Sequence, residues 1–516
     1  MGNVSETKVY QRLENILSHL LDGLYEREEA VRLSLLAALS GKSIFYLGPP
    51  GVAKSLIARK IASAFKDADF FEYLMGRFST PDEIFGPVSI ARLKHEDSYS
   101  RNIEGYLPGA DIVFLDEIWK SSPPIQNTLL AALNERTFRN GDELIKIPMK
   151  CFIAASNEIK DDDESRAFWD RFLIRLEITA IRDPEFFKDL IRTPSDPEIT
   201  EAPLAITPQE WSQWLDSSRT LRLSDDLVGM IGALRQSMNT EASEDGSFFI
   251  SDRRWKQIAE LLQTSAYFHG RNEANMVDAF IIPHCIWNNA SNRQRVEEIF
   301  SEEISRMMFN SSINVIALQQ KVESLKDAVN SRAYDDQEVT QFIPVRYDGE
   351  YFRFIPDQGN GDEDYRVWAD DLEYLDERGE LELFVYKSGN FYRTEVHPMR
   401  WTDKENWKLS GGPGSGIIEH QNEKTFTRVA RELSTEDRKI LGQEYRNRIS
   451  RLEAAISHID AELASCREQG STHLFIPSHD LSPLMEGGRD KKQSVQQLLA
   501  EVLEIGRQEG LEEQDA

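Results

Sequence analysis

Gly48-Pro49-Pro50-Gly51-Val52-Ala53-Lys54-Ser55 carries the sharpest chemical signal in the chain. Glycines ahead of a Lys-Ser pair suit a loop whose backbone N–H groups wrap a phosphate chain. The ammonium of Lys54 would reach the terminal phosphates and the hydroxyl of Ser55 would hold Mg²⁺. The pattern G-x-x-x-x-G-K-[ST] wants a second glycine where Ala53 stands. Alanine keeps the N–H, and it is expected here at negative φ as a tolerated variation. The competing reading is a Gly/Pro turn before an ordinary helix. A β-rich run before the loop and a helical period after it count against that.

Ile112-Val113-Phe114-Leu115 would deliver Asp116-Glu117 to the carboxyl end of a central strand, where ligands of α/β sheets bind. Asp116 is expected to hold Mg²⁺ through water, and Glu117 to polarise the attacking water. Ala154-Ala155-Ser156-Asn157 is a strand ending in an amide, and Asn157 could orient that same water. In Trp169-Asp170-Arg171-Phe172, Arg171 is the chosen candidate to act in trans on a neighbour's γ-phosphate, with Arg175 and Arg166 as rivals. Ser251-Asp252-Arg253-Arg254-Trp255 opens a helix with Ser251 as N-cap, and Arg253 could reach a nucleotide from a helical subdomain.

The elements that must position these groups follow from periodicity. Residues 13–24, 28–39 and 55–65 have helical spacing, while 43–47, 112–115 and 151–155 are apolar strand candidates. Such alternation predicts an α/β core with a parallel sheet covered on both faces. Asn140-Gly141 between two extended runs predicts a hairpin. Residues 207–309 read as helical, and 313–332 as a long helix. Short aromatic-rich runs at 342–355, 365–368, 381–386 and 391–397 then suggest a small all-β module, its aromatics (Tyr351, Phe352, Phe354, Tyr365, Trp368, Phe391, Tyr392) forming the core. Helical spacing resumes at Ala430 and continues to Leu463 in the manner of a coiled-coil hairpin. The acidic stretch 495–516 is expected to fray. The expected domains are a nucleotide-binding subdomain (1–200), a helical lid (201–309), a discontinuous helical domain (310–335 and 426–516) and the β module (336–425).

Composition excludes several classes. A chain of 516 residues with 40% hydrophobic and 10% aromatic content can build more than one core. Its net charge of -28 argues against bulk binding of nucleic acid or anionic membranes. The three cysteines, Cys151, Cys285 and Cys466, are too scattered for a disulfide or zinc scaffold and point to a reducing compartment. The histidines, His269 and His284 among them, show no ligand spacing, so no structural metal is expected. No apolar run approaches the roughly 18 residues of a membrane span. The start Met1-Gly2-Asn3-Val4-Ser5-Glu6 lacks a secretion pattern, and a cytoplasmic location is expected.

Taken in order and spacing, Gly48–Ser55, Ile112–Glu117, Asn157, Asp170-Arg171-Phe172 and Ser251–Arg253 resemble the AAA+ ATPase core of the MoxR type, whose phosphate loops also end Ala-Lys-Ser. Gly23-Leu24-Tyr25-Glu26-Arg27, Phe78–Pro87, Gly105-Tyr106-Leu107-Pro108 and Asn134–Gly141 resemble the RavA branch (regulatory ATPase variant A). The resemblance is close over 10–300; beyond that only the architecture agrees, a β module flanked by long helices. It implies a P-loop core with a helical lid, a homo-hexameric ring, ATP or ADP bound between subunits, and Mg²⁺ as cofactor. By matching position it implies that Tyr25 contacts the adenine and that Gly48, Gly51, Ala53, Lys54, Ser55 and Leu56 line the phosphates. It further implies chaperone-like remodelling with a von Willebrand A-domain partner, and in some relatives binding of a lysine decarboxylase through the inserted module. Two other functions compete with the remodelling ring. One is a nucleotide-gated adaptor, in which the β module binds the partner and hydrolysis times release. The other is a DNA motor, which the net charge disfavours.

Overall fold

In the computed structural model, which describes residues 3–95, 99–160, 168–192, 199–241, 248–307, 313–347, 349–357, 364–387, 390–411, 414–477 and 481–511, the run Ser43–Leu47 is a strand buried along its whole length. The chain divides into two units: 1–318 with 450–499, and 319–449 with 500–516.

The strands of the first unit's α/β half are β1 (Ser43–Leu47), β2 (Phe70–Leu74), β3 (Ile112–Asp116), β4 (Thr137–Asn140), β5 (Glu143–Lys146), β6 (Cys151–Ser156) and β7 (Ile174–Glu177). Its helices include α1 (Asn3–Leu21), α2 (Glu28–Leu39) and α3 (Lys54–Ser63). Among the described residues the main sheet has the order β2-β3-β6-β1-β7, and every neighbouring pair is parallel. Strands β1 and β6 are apolar in near-continuous runs because helices cover both faces, as the sequence pattern predicts. The chain therefore crosses from β1 to the far edge and returns to the centre with β6. Three strand ends carrying polar residues, those of β1, β3 and β6, lie side by side as a result.

The Asn140-Gly141 hairpin forms as expected between β4 and β5. Gly141 is at φ 67°, and a Cβ there would stand 2.4 Å from the carbonyl oxygen of Tyr99, so this turn has room only for glycine. Helices Pro208–Ser218, Asp225–Glu241, Asp252–Phe268 and Ala290–Met307 lie in the stretch that the sequence marks as a helical lid. Leu227, Met230, Leu234 and Met238 from one of these helices, and Val296, Ile299, Phe300 and Ile304 from another, are buried at helical spacing.

The helix Val315–Ala333, whose residues 319–333 belong to the second unit, gives way at Tyr334 to an antiparallel ribbon of Tyr334–Pro344 with His420–Ala430. Helical structure after the module starts at Thr435; Ala430 itself is still strand, which corrects the sequence reading. The ribbon leads into a seven-stranded antiparallel sheet that runs from Arg346–Tyr347 to Gly414–Ile418. Gly414–Ile418 pairs back onto Tyr351–Pro356, closing the sheet into a small barrel. Phe352, Phe354, Val367, Leu381, Leu383, Met399, Leu409 and Ile418 fill it, with Tyr365 packed alongside. The aromatics are not all core. Tyr351 and Trp368 pack against each other, ring centroids 4.4 Å apart and tilted by 43°, on the opposite face, because strand residues alternate sides. The side chains of Phe391 and Tyr392, and residues Gly412-Pro413, lie outside the described residues. Of the stretch 495–516 expected to fray, residues up to Gln508 belong to a helix, Ser482–Gln508, with Val495 and Val502 fully buried, and 512–516 lie outside the described residues.

Candidate nucleotide-binding site

The Gly48–Ser55 loop leaves the end of β1 and enters α3. The Gly48 N–H donates to the Ser156 carbonyl at 2.9 Å, tying the loop to the end of β6. A Cβ on Gly48 would lie 2.1 Å from the carbonyl oxygen of Ile178, so β7 leaves no room for any other residue. Gly51 is at φ 83°. Ala53 lies at φ 70° and ψ 22°, in the left-handed region, which overturns the expectation of negative φ. The loop keeps its phosphate-wrapping curvature at Ala53 against a steric penalty of about 1 kcal/mol for an L side chain. No side chain caps α3 among the described residues, so the N–H groups of its first turn, at Lys54, Ser55 and Leu56, point out as an anion site. The buried Lys54 Nζ donates to the carbonyls of Gly48 at 2.6 Å and Pro49 at 3.2 Å, which curls the loop around it.

A second loop, Gly23–Arg27, braces the first. Arg27 is buried and donates through Nε to the Val52 carbonyl at 3.1 Å and through Nη2 to the Thr179 carbonyl at 2.7 Å. Burial lowers its pKa. Glu26, at φ 52°, accepts the N–H groups of Arg182 at 2.8 Å and Asp183 at 2.7 Å, and those bonds hold its carboxyl below the usual range. Tyr25 directly precedes these anchors, with its ring 6.1 Å from that of Phe186. In the sequence Arg27 stands out only as part of a motif. Its bracing role was missed, since nothing in the sequence shows that its target is a carbonyl of the phosphate loop.

Asp116 ends β3, two strands from β1, with β6 between them. Its Oδ1 accepts the Glu117 N–H at 2.9 Å, and Glu117 turns sharply out of the strand at φ 52°. The Glu117 carboxylate is mostly covered and lies 3.5 Å from Lys120 Nζ. Asn157 is exposed just past the end of β6, on the strand between Glu117 and the loop. The sheet order thus brings Lys54, Ser55, Asp116, Glu117 and Asn157 to one edge.

Arg171 and Arg253 lie elsewhere. Both line a polar cleft of about 200 Å³ with Lys42, Arg136 and Arg219, next to Gly41 and Ser43 at the start of β1. The phosphate loop follows the other end of that strand, about 16 Å away. Arg253 Nη2 donates to Asn134 Oδ1 at 3.2 Å, and the structure does not bring it to Lys54 of its own chain. Ser251 caps its helix as expected, accepting the Arg254 N–H at 3.3 Å. Arg254 is buried and donates to the carbonyls of Cys285 (2.5 Å), Phe172 (2.8 Å), Leu173 (2.9 Å) and Asp170 (3.1 Å). These bonds bolt the lid helix to the lead-in of β7. Of the arginine candidates, Arg175 is wholly buried against Trp287 and Trp169, bonded to both carbonyls and to Asn288 Oδ1. Desolvation pushes its pKa far down, and it is a packing residue. Arg166 lies outside the described residues. Arg171 keeps a partly exposed side chain, and its Nη1 is 3.4 Å from Asp170 Oδ2.

Parts of this chain are similar to known proteins. A family model described as the MoxR domain in the MoxR-vWA-beta-propeller ternary systems matches residues 11–201, and an AAA lid domain matches 226–300. An uncharacterised protein of Methanocaldococcus jannaschii is 34% identical over 334 residues, 64% of this chain and 82% of that protein. A second from the same organism is 37% identical over 293 residues, 56% of this chain and 75% of its own length. A structural protein of Acidianus two-tailed virus is 33% identical over 181 residues, 34% of this chain and 29% of the viral protein. A crystal structure from Cytophaga hutchinsonii, provisionally described as an ATPase, is 17% identical with a TM-score of 0.46, covering 57% of this chain and 94% of that one.

Proposed function

Because the chain belongs to the MoxR family of AAA+ ATPases, we propose that it hydrolyses ATP at sites completed by a neighbouring copy and uses the cycle to remodel protein partners. The observation that carries this reading is the separation just described. The phosphate loop, acidic pair and Asn157 share one sheet edge, while Arg171 and Arg253 sit at the start of β1. In one chain they cannot serve the same γ-phosphate; in a closed ring, which we take to be a hexamer, each pair would face the next subunit's loop.

In that site the N–H groups of 51–56 and Lys54 hold the β- and γ-phosphates, and Tyr25 lies against the adenine. Ser55 and Asp116 offer two hard oxygens, as Mg²⁺ demands, and the second Asp116 oxygen is left over from its bond to Glu117. The ion would neutralise phosphate charge when bound. Glu117 accepts the proton of the attacking water while Asn157 orients it. Arg171 and Arg253 of the adjoining subunit offset charge on the leaving γ-phosphoryl. Residues 1–200 and 201–309 would act as nucleotide-binding and lid subdomains. A von Willebrand A-domain protein is the partner that the family description favours. The β module would carry client contacts, a lysine decarboxylase-like protein among the candidates. A nucleotide-gated adaptor is the second reading, and the Tyr351–Trp368 pair on the outer face of the barrel favours it.

ATP turnover against protein concentration tests the proposal, for wild type, Glu117→Gln and Arg171→Ala. Specific activity should rise with concentration, and it should collapse in both variants while ATP still binds. A flat rate indifferent to Arg171 would refute shared sites. Remodelling that survives Glu117→Gln would favour the adaptor.

A further inference from the structure

Residues 472–477 cross three helices of the first unit, and His473, Leu474, Phe475 and Ile476 are buried. From α2, Arg32 Nη1 donates to the carbonyls of His473 at 3.1 Å and Leu474 at 2.6 Å. From α1, the Tyr10 hydroxyl donates to the Thr472 carbonyl at 2.7 Å. On the lid side, His269 Nε2 accepts the Leu474 N–H at 3.0 Å, and its Nδ1 is 2.7 Å from the Ser265 carbonyl. His473 Nδ1 accepts the N–H groups of Phe475 at 3.2 Å and Ile476 at 3.1 Å, so its proton sits on Nε2, facing Asp278 Oδ1 at 3.4 Å. The network therefore assigns a neutral tautomer to each ring. Fully buried Asp278 is already held by Arg271 at 2.6 and 2.7 Å and by the Ser265 hydroxyl at 2.6 Å. His269, Asp278 and His473 put ligand-type atoms within 4.8 Å of one another. Backbone groups occupy both nitrogens of His269 and Nδ1 of His473, so the cluster is a hydrogen-bond network rather than a metal cage.

We propose that 472–477 is an acid-releasable strap: two neutral imidazoles hold it across α1, α2 and the lid, and protonation of either ring frees it, together with the helical segments 450–471 and 482–499 that it joins. A proton on His269 Nε2 or His473 Nδ1 would set a donor against the backbone donors now bonded there. It would also add positive charge between rings whose centroids are 4.2 Å apart. The groups facing the pair are Asp278 and Arg271 from the lid, Arg32 (paired with Glu28) from α2, and Tyr10 from α1 with Glu14 beside it. Asp278 favours a protonated His473, but burial outweighs it and lowers both rings, His269 strongly. The sign follows. The docked state binds fewer protons than the released one, so docking is complete above the ordinary imidazole range of about 6.5 and weakens below it. Each ring contributes up to about tenfold per pH unit.

Hydrogen–deuterium exchange on the full chain tests this, with intrinsic rates corrected for pH. Protection of the Leu474, Phe475 and Ile476 amides should fall by about 10- to 100-fold from pH about 7.5 to about 5.5, while β6 amides stay protected. Asn at 473 can present Oδ1 in place of Nδ1, and Gln at 269 can do so for Nε2. The His269→Gln, His473→Asn double variant should therefore dock without pH dependence. Unchanged protection in wild type would overturn the proposal, as would a docked double variant that loses protection equally in acid. If the double variant does not dock, imidazole titration of the wild type by NMR decides: release without proton uptake by either ring refutes it.

Discussion

Ala53→Gly should stabilise the phosphate loop, and the sign of its effect is the test. At φ 70° and ψ 22° a Cβ crowds the following carbonyl by about 1 kcal/mol. Glycine relieves that but frees the unfolded chain by about 0.4–1 kcal/mol. The net is a gain near 0.5 kcal/mol, about twofold in a local opening equilibrium. Had Ala53 been at negative φ, as the loop pattern alone suggests, glycine would instead weaken the start of α3 by about 0.5–1 kcal/mol. Global melting of a chain in two units is not a two-state event, so the readout must be local. The Ile57 amide, bonded to the Ala53 carbonyl at 3.0 Å, reports opening of the first turn. Its exchange should slow by about twofold in the variant. Faster exchange would refute the left-handed assignment and the strain argument with it.

Gly48→Ala meets the Ile178 carbonyl at 2.1 Å, so it should displace the loop or β7 and lower ATP affinity by at least about tenfold, measured by fluorescence titration. Arg254→Ala should destabilise the first unit by about 3 kcal/mol or more in denaturant, because it orphans several buried carbonyls. Arg253→Ala should change stability by less than about 0.5 kcal/mol while turnover falls; the reverse ranking would sink the assignment. Glu210 has its carboxyl lowered to about 2, mainly by Arg12, whose Nη1 is 2.6 Å away. The lowered value means that its contribution is present above the ordinary carboxylate range and is lost as pH falls through about 2. The stability gap between wild type and Glu210→Gln should be constant near neutrality and close in strong acid.

Where a residue's place is set by its neighbours in sequence, the sequence was sufficient. Lys54 follows a strand and opens a helix, Asp116 ends an apolar run, and Ser251 precedes a helical period; each sits where that pattern puts it. Residues whose task depends on chain crossings were hidden. Arg27 reaches Val52 and Thr179, and His473 meets Asp278 from 195 positions away. The barrel aromatics show a third limit. Composition marks them as a module, but only strand register separates Phe352 in the core from Tyr351 on the outer face.

Arg253 and Arg171 are not independent of each other, and this bears on how the proposed ring would work. Arg254, one residue on from Arg253, is fixed to the carbonyls of Asp170, Phe172 and Leu173, which flank Arg171 on both sides. Swinging Arg253 toward its own chain's loop would break that set and leave a buried guanidinium with unmet donors, a loss of about 3–5 kcal/mol. In the proposed ring the lid and the β7 lead-in would then move together, and the two arginines would reach or leave a neighbour's phosphate as one. Such a pair gives a single switch between subunits. Loss of either arginine should therefore cost nearly as much activity as loss of both, and an additive Arg171→Ala, Arg253→Ala double variant would show instead that the two act separately.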